Sequence, residues 1–248
     1  MSLFKLLDAG LHRVLDSSGY IFMRKSNPSY FLGRRLKLMR AYGVDLVLDV
    51  GANTGQYSRR MRKMGYTGEI VSFEPMRSAF NALQAACAAD GNWECRDYAL
   101  GAESGQTSIN VSGNSVSSSI LPMLPEHEKH APASRVVDSE VIDVKRLDEL
   151  TEWEQWGRRN GVWLKIDVQG YEEQVLAGAE RCLSNIAAIQ LELSLRPLYA
   201  QQLTIVPMLA HLGALGFDPV AFEPGFADQT SGEYLQVDGI FRNRRFAQ

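Results

Sequence analysis

Apolar runs of strand length alternate with stretches of helix length from residue 45 onward in this 248-residue chain. The first run, DLVLDV at 45–50, is nearly continuous and is typical of a strand buried on both faces. Strands that alternate with helices predict an α/β fold built on a doubly wound, mostly parallel sheet. Such a sheet has one ligand crevice, at the carboxyl ends of its strands.

The same pattern gives the expected elements. Besides 45–50, the strands are expected at 69–75, 93–100, 106–111, 135–144, 162–168 and 186–193. The helices of this part of the chain are expected from GANTG to about 64, at 77–89, at 171–179 and at 202–216. Two final runs, 217–223 and 233–241, predict an antiparallel pair.

Two helices are expected ahead of the sheet, at 3–15 and at 29–43. We therefore divide the chain into an N-terminal helical extension, residues 1–44, and a main domain, residues 45–248.

The composition excludes several classes of protein. With 45% apolar and 22% charged residues, the chain is neither disordered nor fibrous. It has no apolar run of the roughly 18 residues that cross a bilayer, and charges interrupt its first 16 positions, so no secretory signal is expected. Three scattered cysteines are too few for a disulfide framework. We expect a cytoplasmic protein.

The charge is unevenly distributed. Residues 1–68 hold 12 Lys and Arg against 4 Asp and Glu, whereas residues 69–248 hold 14 against 25. The basic residues are densest between positions 24 and 63. Two readings remain open: a solvated basic face, or a peripheral contact with an anionic partner such as a membrane surface.

The segment LDVGANTG, residues 48–55, contains the strongest functional motif. Gly51 and Gly55 permit a tight turn between strand and helix and a close approach to a ligand, and Asn53 tolerates left-handed backbone geometry. A dinucleotide fingerprint requires G-x-G-x-x-G, so the spacing disfavours a nicotinamide oxidoreductase. Glu74 ends the second strand, where an acidic residue can bind both ribose hydroxyls of an adenosine, and Asp97 in the third can accept a hydrogen bond from an adenine amino group.

Other candidate side chains follow later strands. Lys165 and Asp167 lie two positions apart, on one side of a strand, and Glu192 is placed alike in the next strand. Asp167 and Glu192 could together bind a divalent cation through oxygen ligands, and this possibility stays open. No His or Cys accompanies them as a further ligand. His127 and His130, in the Ser- and Pro-containing loop 112–134 expected to cover the crevice, are further candidates for a general base.

A resemblance becomes specific when the motifs are taken in order. The chain resembles the FkbM family of S-adenosylmethionine-dependent methyltransferases, over about residues 45–242. The segments that carry the resemblance are LDVGANTGQYS (48–58), SFEP (72–75), ALG (99–101), RLDEL (146–150), LKIDVQGYE (164–172), VLAGA (175–179) and LEL (191–193).

The resemblance implies a Rossmann-like class I methyltransferase fold, with a seven-stranded sheet whose last strand is antiparallel. It also implies methyl transfer to a hydroxyl of a sugar, glycan or polyketide-type acceptor. The cofactor-binding residues that it implies are Asp49, Gly51, Asn53, Thr54, Gly55, Glu74 and Asp97. One departure is Gln169, where the family usually has Glu.

We interpret the sequence as that of an O-methyltransferase in which Asp167 is the general base, Lys165 orients it, and His127 or His130 is the next choice. The alternative is a non-catalytic module that binds a glycan or a membrane surface on the same fold. A nucleic-acid partner is disfavoured, because the sequence has no N-P-P-Y or D-P-P-Y run. The oligomeric state is not predicted.

Overall fold

The computed structural model describes residues 30–246, and a central sheet with helices on both faces organises them. The strands of this range are β1 (Leu46–Val50), β2 (Glu69–Phe73), β3 (Trp93–Arg96), β4 (Ala99–Leu100), β5 (Gly105–Ser112), β6 (Val136–Lys145), β7 (Val162–Ile166), β8 (Ile186–Ser194), β9 (Phe217–Pro224) and β10 (Gln236–Asn243).

The α-helices of the same range are α1 (Phe31–Ala41), α2 (Gln56–Met64), α3 (Arg77–Cys87), α4 (Pro125–His130), α5 (Trp153–Trp156), α6 (Glu172–Ala177) and α7 (Ile205–Ala214). Short 3-10 turns lie at Pro132–Ser134, Leu147–Glu149, Glu180–Asn185 and Arg244–Phe246. The helix predicted at 3–15 lies outside the described residues.

Seven strands form the central sheet in the order β3-β2-β1-β7-β8-β10-β9. The pairings β1 with β2, β1 with β7, β2 with β3 and β7 with β8 are all parallel. Strand β10, the last in the chain, runs antiparallel to both β8 and β9. The predicted fold class, a mostly parallel seven-stranded sheet with an antiparallel last strand, is therefore confirmed.

A second, three-stranded sheet in the order β4-β6-β5 lies beside the first and accounts for the extra strands expected near 106–111 and 135–144. The expected single strand at 93–100 is wrong, because the chain leaves the central sheet after Arg96 and Ala99 pairs with Val144 of β6. Tyr98 lies at this crossing, buried, with its ring 5.8 Å from that of Phe73. The first part of this apolar run therefore pairs in the central sheet, and its last two residues pair in the small sheet.

Helix α1 packs on the central sheet. Its Leu36 and Met39 are buried in one apolar cluster with Val47 and Trp163 of the sheet. The division of the chain at residue 44 stays a prediction. Within residues 30–246, every helix is too short or too polar to cross a membrane.

Candidate functional site

The turn after β1 brings the chain close to the end of β7. Gly51, Asn53 and Gly55 have φ angles of 72°, 47° and 84°, in the left-handed region that glycine and asparagine tolerate. A Cβ atom at Gly51 would lie 1.9 Å from the carbonyl oxygen of Asp167, and one at Gly55 would lie 2.7 Å from the Trp93 ring. Both glycines are therefore required by close packing as well as by conformation.

Glu74 lies beside this turn, at the end of β2. Its Oε2 accepts the backbone N–H of Asn53 at 2.8 Å, and its Oε1 accepts that of Met76 at 2.9 Å. Burial raises the pKa of Glu74 to about 7, although the two N–H donors oppose the shift. The carboxylate is thus held in one orientation, and each oxygen keeps a lone pair for a further donor.

An apolar cavity of about 550 Å³ opens between Glu74 and the small sheet. Its apolar wall includes Met76, Leu100, Ile109 and Ile142. Loop residues 115, 116, 118 and 120 also line it, so the first part of the loop expected to cover the crevice does so.

A buried ion pair lies beneath the turn. Asp49 is fully buried, and its Oδ1 is 3.0 Å from Lys165 Nζ. Ser58 donates to Asp49 Oδ2 at 2.8 Å, and Lys165 donates to the Gly51 carbonyl oxygen at 3.1 Å. Burial lowers the pKa of Lys165, but the carboxylates of Asp49 and Asp167 outweigh it, so the net shift is upward and the ammonium stays charged.

Asp167 lies above that pair, and 41% of its side chain is exposed. Its Oδ2 is 3.6 Å from Lys165 Nζ, and its Oδ1 accepts the side-chain N–H of Gln169 at 2.9 Å. Gln169 Nε2 also donates to Glu192 Oε2 at 3.0 Å. Buried Glu172 steadies this turn, because its Oε1 accepts the backbone N–H of Gly170 at 3.1 Å.

Further carboxyl groups surround Glu192. Burial and the negative charges of Asp167 and Asp238 raise the pKa of Glu192 well above its usual range. Burial likewise raises the pKa of Asp238 to about 6 and that of Glu172 to about 7. The nearby ammonium of Lys165 balances only part of this negative charge.

A polar cavity of about 940 Å³ lies on the α1 side of the turn. Its walls include Phe31, Arg35, Gln56, Tyr57, Lys165, Gln190 and Asp238. Tyr57 donates its hydroxyl to Gln190 Oε1 at 3.0 Å, and the buried guanidinium of Arg35 pairs with Glu223.

The two cavities share part of their walls. Gly51, Asn53, Val116 and Asp167 line both of them. The two cavities therefore adjoin each other beside the half-exposed carboxylate of Asp167.

The structure gathers some of the predicted residues and separates others. Gly51, Asn53, Glu74 and Asp167 line the apolar cavity, and Lys165 lines the polar one. The remaining predicted cofactor residues do not line either cavity: Asp49 is buried below the turn, Gly55 packs on Trp93, Thr54 donates its N–H to Asn53, and Asp97 is exposed.

The histidines also lie away from both cavities. His127 is buried with its ring 5.1 Å from that of Tyr199, and burial lowers its pKa. His130 lies between Glu126, at 3.2 Å, and Asp228, at 3.4 Å. Their catalytic role stays a prediction that the geometry does not support.

No cluster of three or more His, Cys, Asp or Glu side chains within residues 30–246 is arranged to hold a metal ion. Asp167 and Glu192 approach each other, as predicted, but the amide of Gln169 lies between them.

Sequence reasoning missed most of the polar cavity. Gln190 is the cross-strand partner of Lys165, which is itself the partner of Asp49. The signal available in the sequence was thus a polar residue at the same register position in each of three neighbouring buried strands, β1, β7 and β8. Arg35, Tyr57 and Asp238 come from three other elements and gave no local signal.

Comparison with known proteins shows which sequence family the chain matches. Residues 49–219 match the sequence model of the methyltransferase FkbM domain. Among solved structures, a methyltransferase FkbM from Methylobacillus flagellatus KT is similar at 13% identity and a TM-score of 0.50, covering 79% of this chain and 43% of that one. The chain therefore spans less than half the length of that relative.

Two further structures are similar at lower scores. EvdMO1 has 16% identity and a TM-score of 0.46, over 97% of this chain and 49% of that one. A putative S-adenosylmethionine-dependent methyltransferase from Listeria monocytogenes has 8% identity and a TM-score of 0.47, over 85% and 96%. No curated protein matches the chain.

Proposed function

The chain belongs to the FkbM methyltransferase family, and from this premise we propose that it transfers the methyl group of S-adenosylmethionine to a hydroxyl of a sugar, glycan or polyketide-type acceptor. The observation that carries the proposal is the meeting of the two cavities at Asp167. A donor in the apolar cavity and an acceptor in the polar cavity then approach each other beside a carboxylate.

The apolar cavity suits the adenosyl part of the donor. Glu74 is fixed by two backbone donors and keeps lone pairs for ribose hydroxyls, and Met76, Ile109 and Ile142 supply apolar contacts for a purine. Gly51 lines this cavity, and its missing Cβ leaves room for the carbonyl oxygen of Asp167 beside it. Binding through Asp49, Thr54, Gly55 or Asp97 remains a prediction.

When bound, S-adenosylmethionine supplies a methyl carbon on a positively charged sulfur, which keeps the bonding electron pair when the methyl leaves. The protein then has to position the acceptor and remove one proton. We assign the role of general base to Asp167, which would take the hydroxyl proton, and its half-exposed carboxylate at the meeting of the cavities supports this. Lys165 and Gln169 hold that carboxylate in place.

The polar cavity supports a hydroxylated acceptor. Amides of Gln56 and Gln190 and the carboxyl group of Asp238 offer donors and acceptors for hydroxyls. The rings of Phe31 and Tyr57 offer apolar surface for the carbon face of a sugar ring.

A labelled-methyl assay with a panel of sugar, glycan and polyketide acceptors tests the proposal. We expect Asp167→Asn to lower kcat by roughly 10²- to 10⁴-fold while the donor still binds. The matched control is Asp138→Asn, which removes an exposed carboxylate on the small sheet.

Full kcat in Asp167→Asn would remove this residue from the role of base. Donor binding without transfer to any acceptor would instead favour the alternative, a non-catalytic module that binds a glycan or a membrane surface on a methyltransferase fold.

A further inference from the structure

The side chain of Gln169 fills the space between two carboxylates. Its Nε2 lies 2.9 Å from Asp167 Oδ1 and 3.0 Å from Glu192 Oε2. An amide NH₂ has two hydrogens, so each carboxylate receives one of them. Gln169 thus joins the half-exposed carboxyl group of Asp167 to the half-buried one of Glu192.

The orientation of the amide follows from its surroundings. The reverse orientation would place the amide oxygen against the oxygens of Asp167 and Glu192, and neither would then receive an N–H from Gln169. In the orientation found, Gln169 Oε1 can accept the hydroxyl of Tyr199 at 2.8 Å. Ser119 also donates to the backbone oxygen of Gln169 at 2.7 Å, so backbone and side chain are both fixed.

Two carboxylates that approach a common point are the usual ligands of Mg²⁺ or Mn²⁺. Here that point is filled by a neutral donor. We propose that Gln169 is a positioning residue that takes the place of a divalent cation, holding Asp167 and Glu192 together through its amide. For the reaction, which rests on the proposed function, this means that transfer proceeds without a metal bound between Asp167 and Glu192.

Acidic groups outnumber basic groups around Gln169, and this excess provides a test. Asp167, Glu172, Glu192 and Asp238 face this region, and Lys165 is the ammonium beside it. A glutamate at position 169 would set a third carboxylate about 3 Å from two others, where only a cation or a proton relieves the repulsion. Gln169→Glu should therefore create a cation site that the wild type lacks.

Titration of the unliganded full chain with Mn²⁺, followed by electron paramagnetic resonance of the free ion, measures this directly. We expect Gln169→Glu to bind one Mn²⁺ at least tenfold more tightly than the wild type, and Gln169→Glu with Glu192→Gln to lose that gain. The control Gln84→Glu adds the same charge on the exposed face of α3 and should bind like the wild type.

Two results would overturn the proposal: an equal Mn²⁺ affinity in Gln169→Glu and the wild type, or a wild-type Mn²⁺ site that Glu192→Gln abolishes. The wild-type titration needs no variant to fold.

A second readout uses turnover. The wild type should keep full turnover in excess EDTA, whereas Gln169→Glu should turn over slowly in EDTA and recover with Mg²⁺ or Mn²⁺. Loss of wild-type turnover in EDTA would contradict the proposal. If no acceptor is methylated at all, the proposed function fails, and the Mn²⁺ titration still decides the role of Gln169.

Discussion

The two cavities that meet at Asp167 are built in different ways. The apolar cavity depends on the turn after β1 and on Glu74, which the chain places together through one strand-turn-helix unit and the next strand. The polar cavity takes side chains from α1, α2, β7, β8, β9 and β10. The polar groups of the apolar cavity are therefore local, whereas its apolar wall and the polar cavity exist only once distant elements have packed.

Gly51, which lines both cavities, should show the largest effect. In Gly51→Ala the new Cβ would lie 1.9 Å from the Asp167 carbonyl oxygen, at a φ of 72°. We expect a loss of at least about 3 kcal/mol in the free energy of unfolding, measured by urea denaturation. Gly105→Ala, with nothing within 4 Å of its new Cβ, is the control. Equal stability of the two variants would show that β1 and β7 do not approach as described.

Donor binding in the apolar cavity should depend on pH, because Glu74 titrates near neutrality. Burial raises the pKa of Glu74 to about 7, so its carboxyl is mostly neutral below that pH and mostly ionised above it. Ribose hydroxyls donate to the ionised form. Affinity for the donor should therefore rise from pH 6 to pH 8, by up to roughly tenfold per pH unit below the pKa, in calorimetric titrations. In Glu74→Ala the donor affinity should not rise in this way between pH 6 and pH 8. The same rise in this variant would show that a group other than Glu74 titrates.

A smaller change should affect the polar cavity alone. Tyr57→Phe removes the hydroxyl that donates to Gln190, worth about 0.5–1.5 kcal/mol, so we expect the acceptor KM to rise roughly 2- to 12-fold. Donor affinity should stay within twofold. Tyr66→Phe, which removes a buried hydroxyl near the other end of α2, controls for general loosening. A change in donor affinity in Tyr57→Phe alone would contradict the separation of the two cavities.

Four exposed basic residues of α1 and α2, Lys37, Arg40, Arg59 and Lys63, should have the smallest effect on either cavity. Arg35 and Arg62 are excluded from this set, because they pair with Glu223 and Asp90. Replacing all four with Gln should leave donor affinity within twofold. If these residues contact an anionic membrane, co-sedimentation with anionic vesicles should fall, since each charge contributes about 1 kcal/mol. Unchanged co-sedimentation would show that they are only solvated.

The difference between the cavities also explains what the sequence could predict. The parallel direction of the central strands follows from the alternation of strand and helix, and Gly51 and Glu74 follow from short motifs at strand ends. Local geometry fixes both, so local sequence contains them.

Other features depend on tertiary contacts. The strand break after Arg96 depends on pairing of Ala99 with β6, 45 positions along the chain at Val144. His127 becomes a core residue because Tyr199 and Phe226 pack against its ring. Arg35 reaches the polar cavity because Glu223 pairs with it across 188 positions. A single sequence does not show these pairings.

Calorimetric titration of S-adenosylmethionine into the wild type, Glu74→Ala and Tyr57→Phe directly tests the placement of the donor in the apolar cavity. We expect Glu74→Ala to lose roughly 2–4 kcal/mol of binding free energy, because a charge-assisted pair of hydrogen bonds is removed. Tyr57→Phe and a control, Glu103→Ala, which removes an exposed carboxylate, should bind like the wild type. Wild-type affinity in Glu74→Ala, or a larger loss in Tyr57→Phe, would contradict the placement of the donor in the apolar cavity.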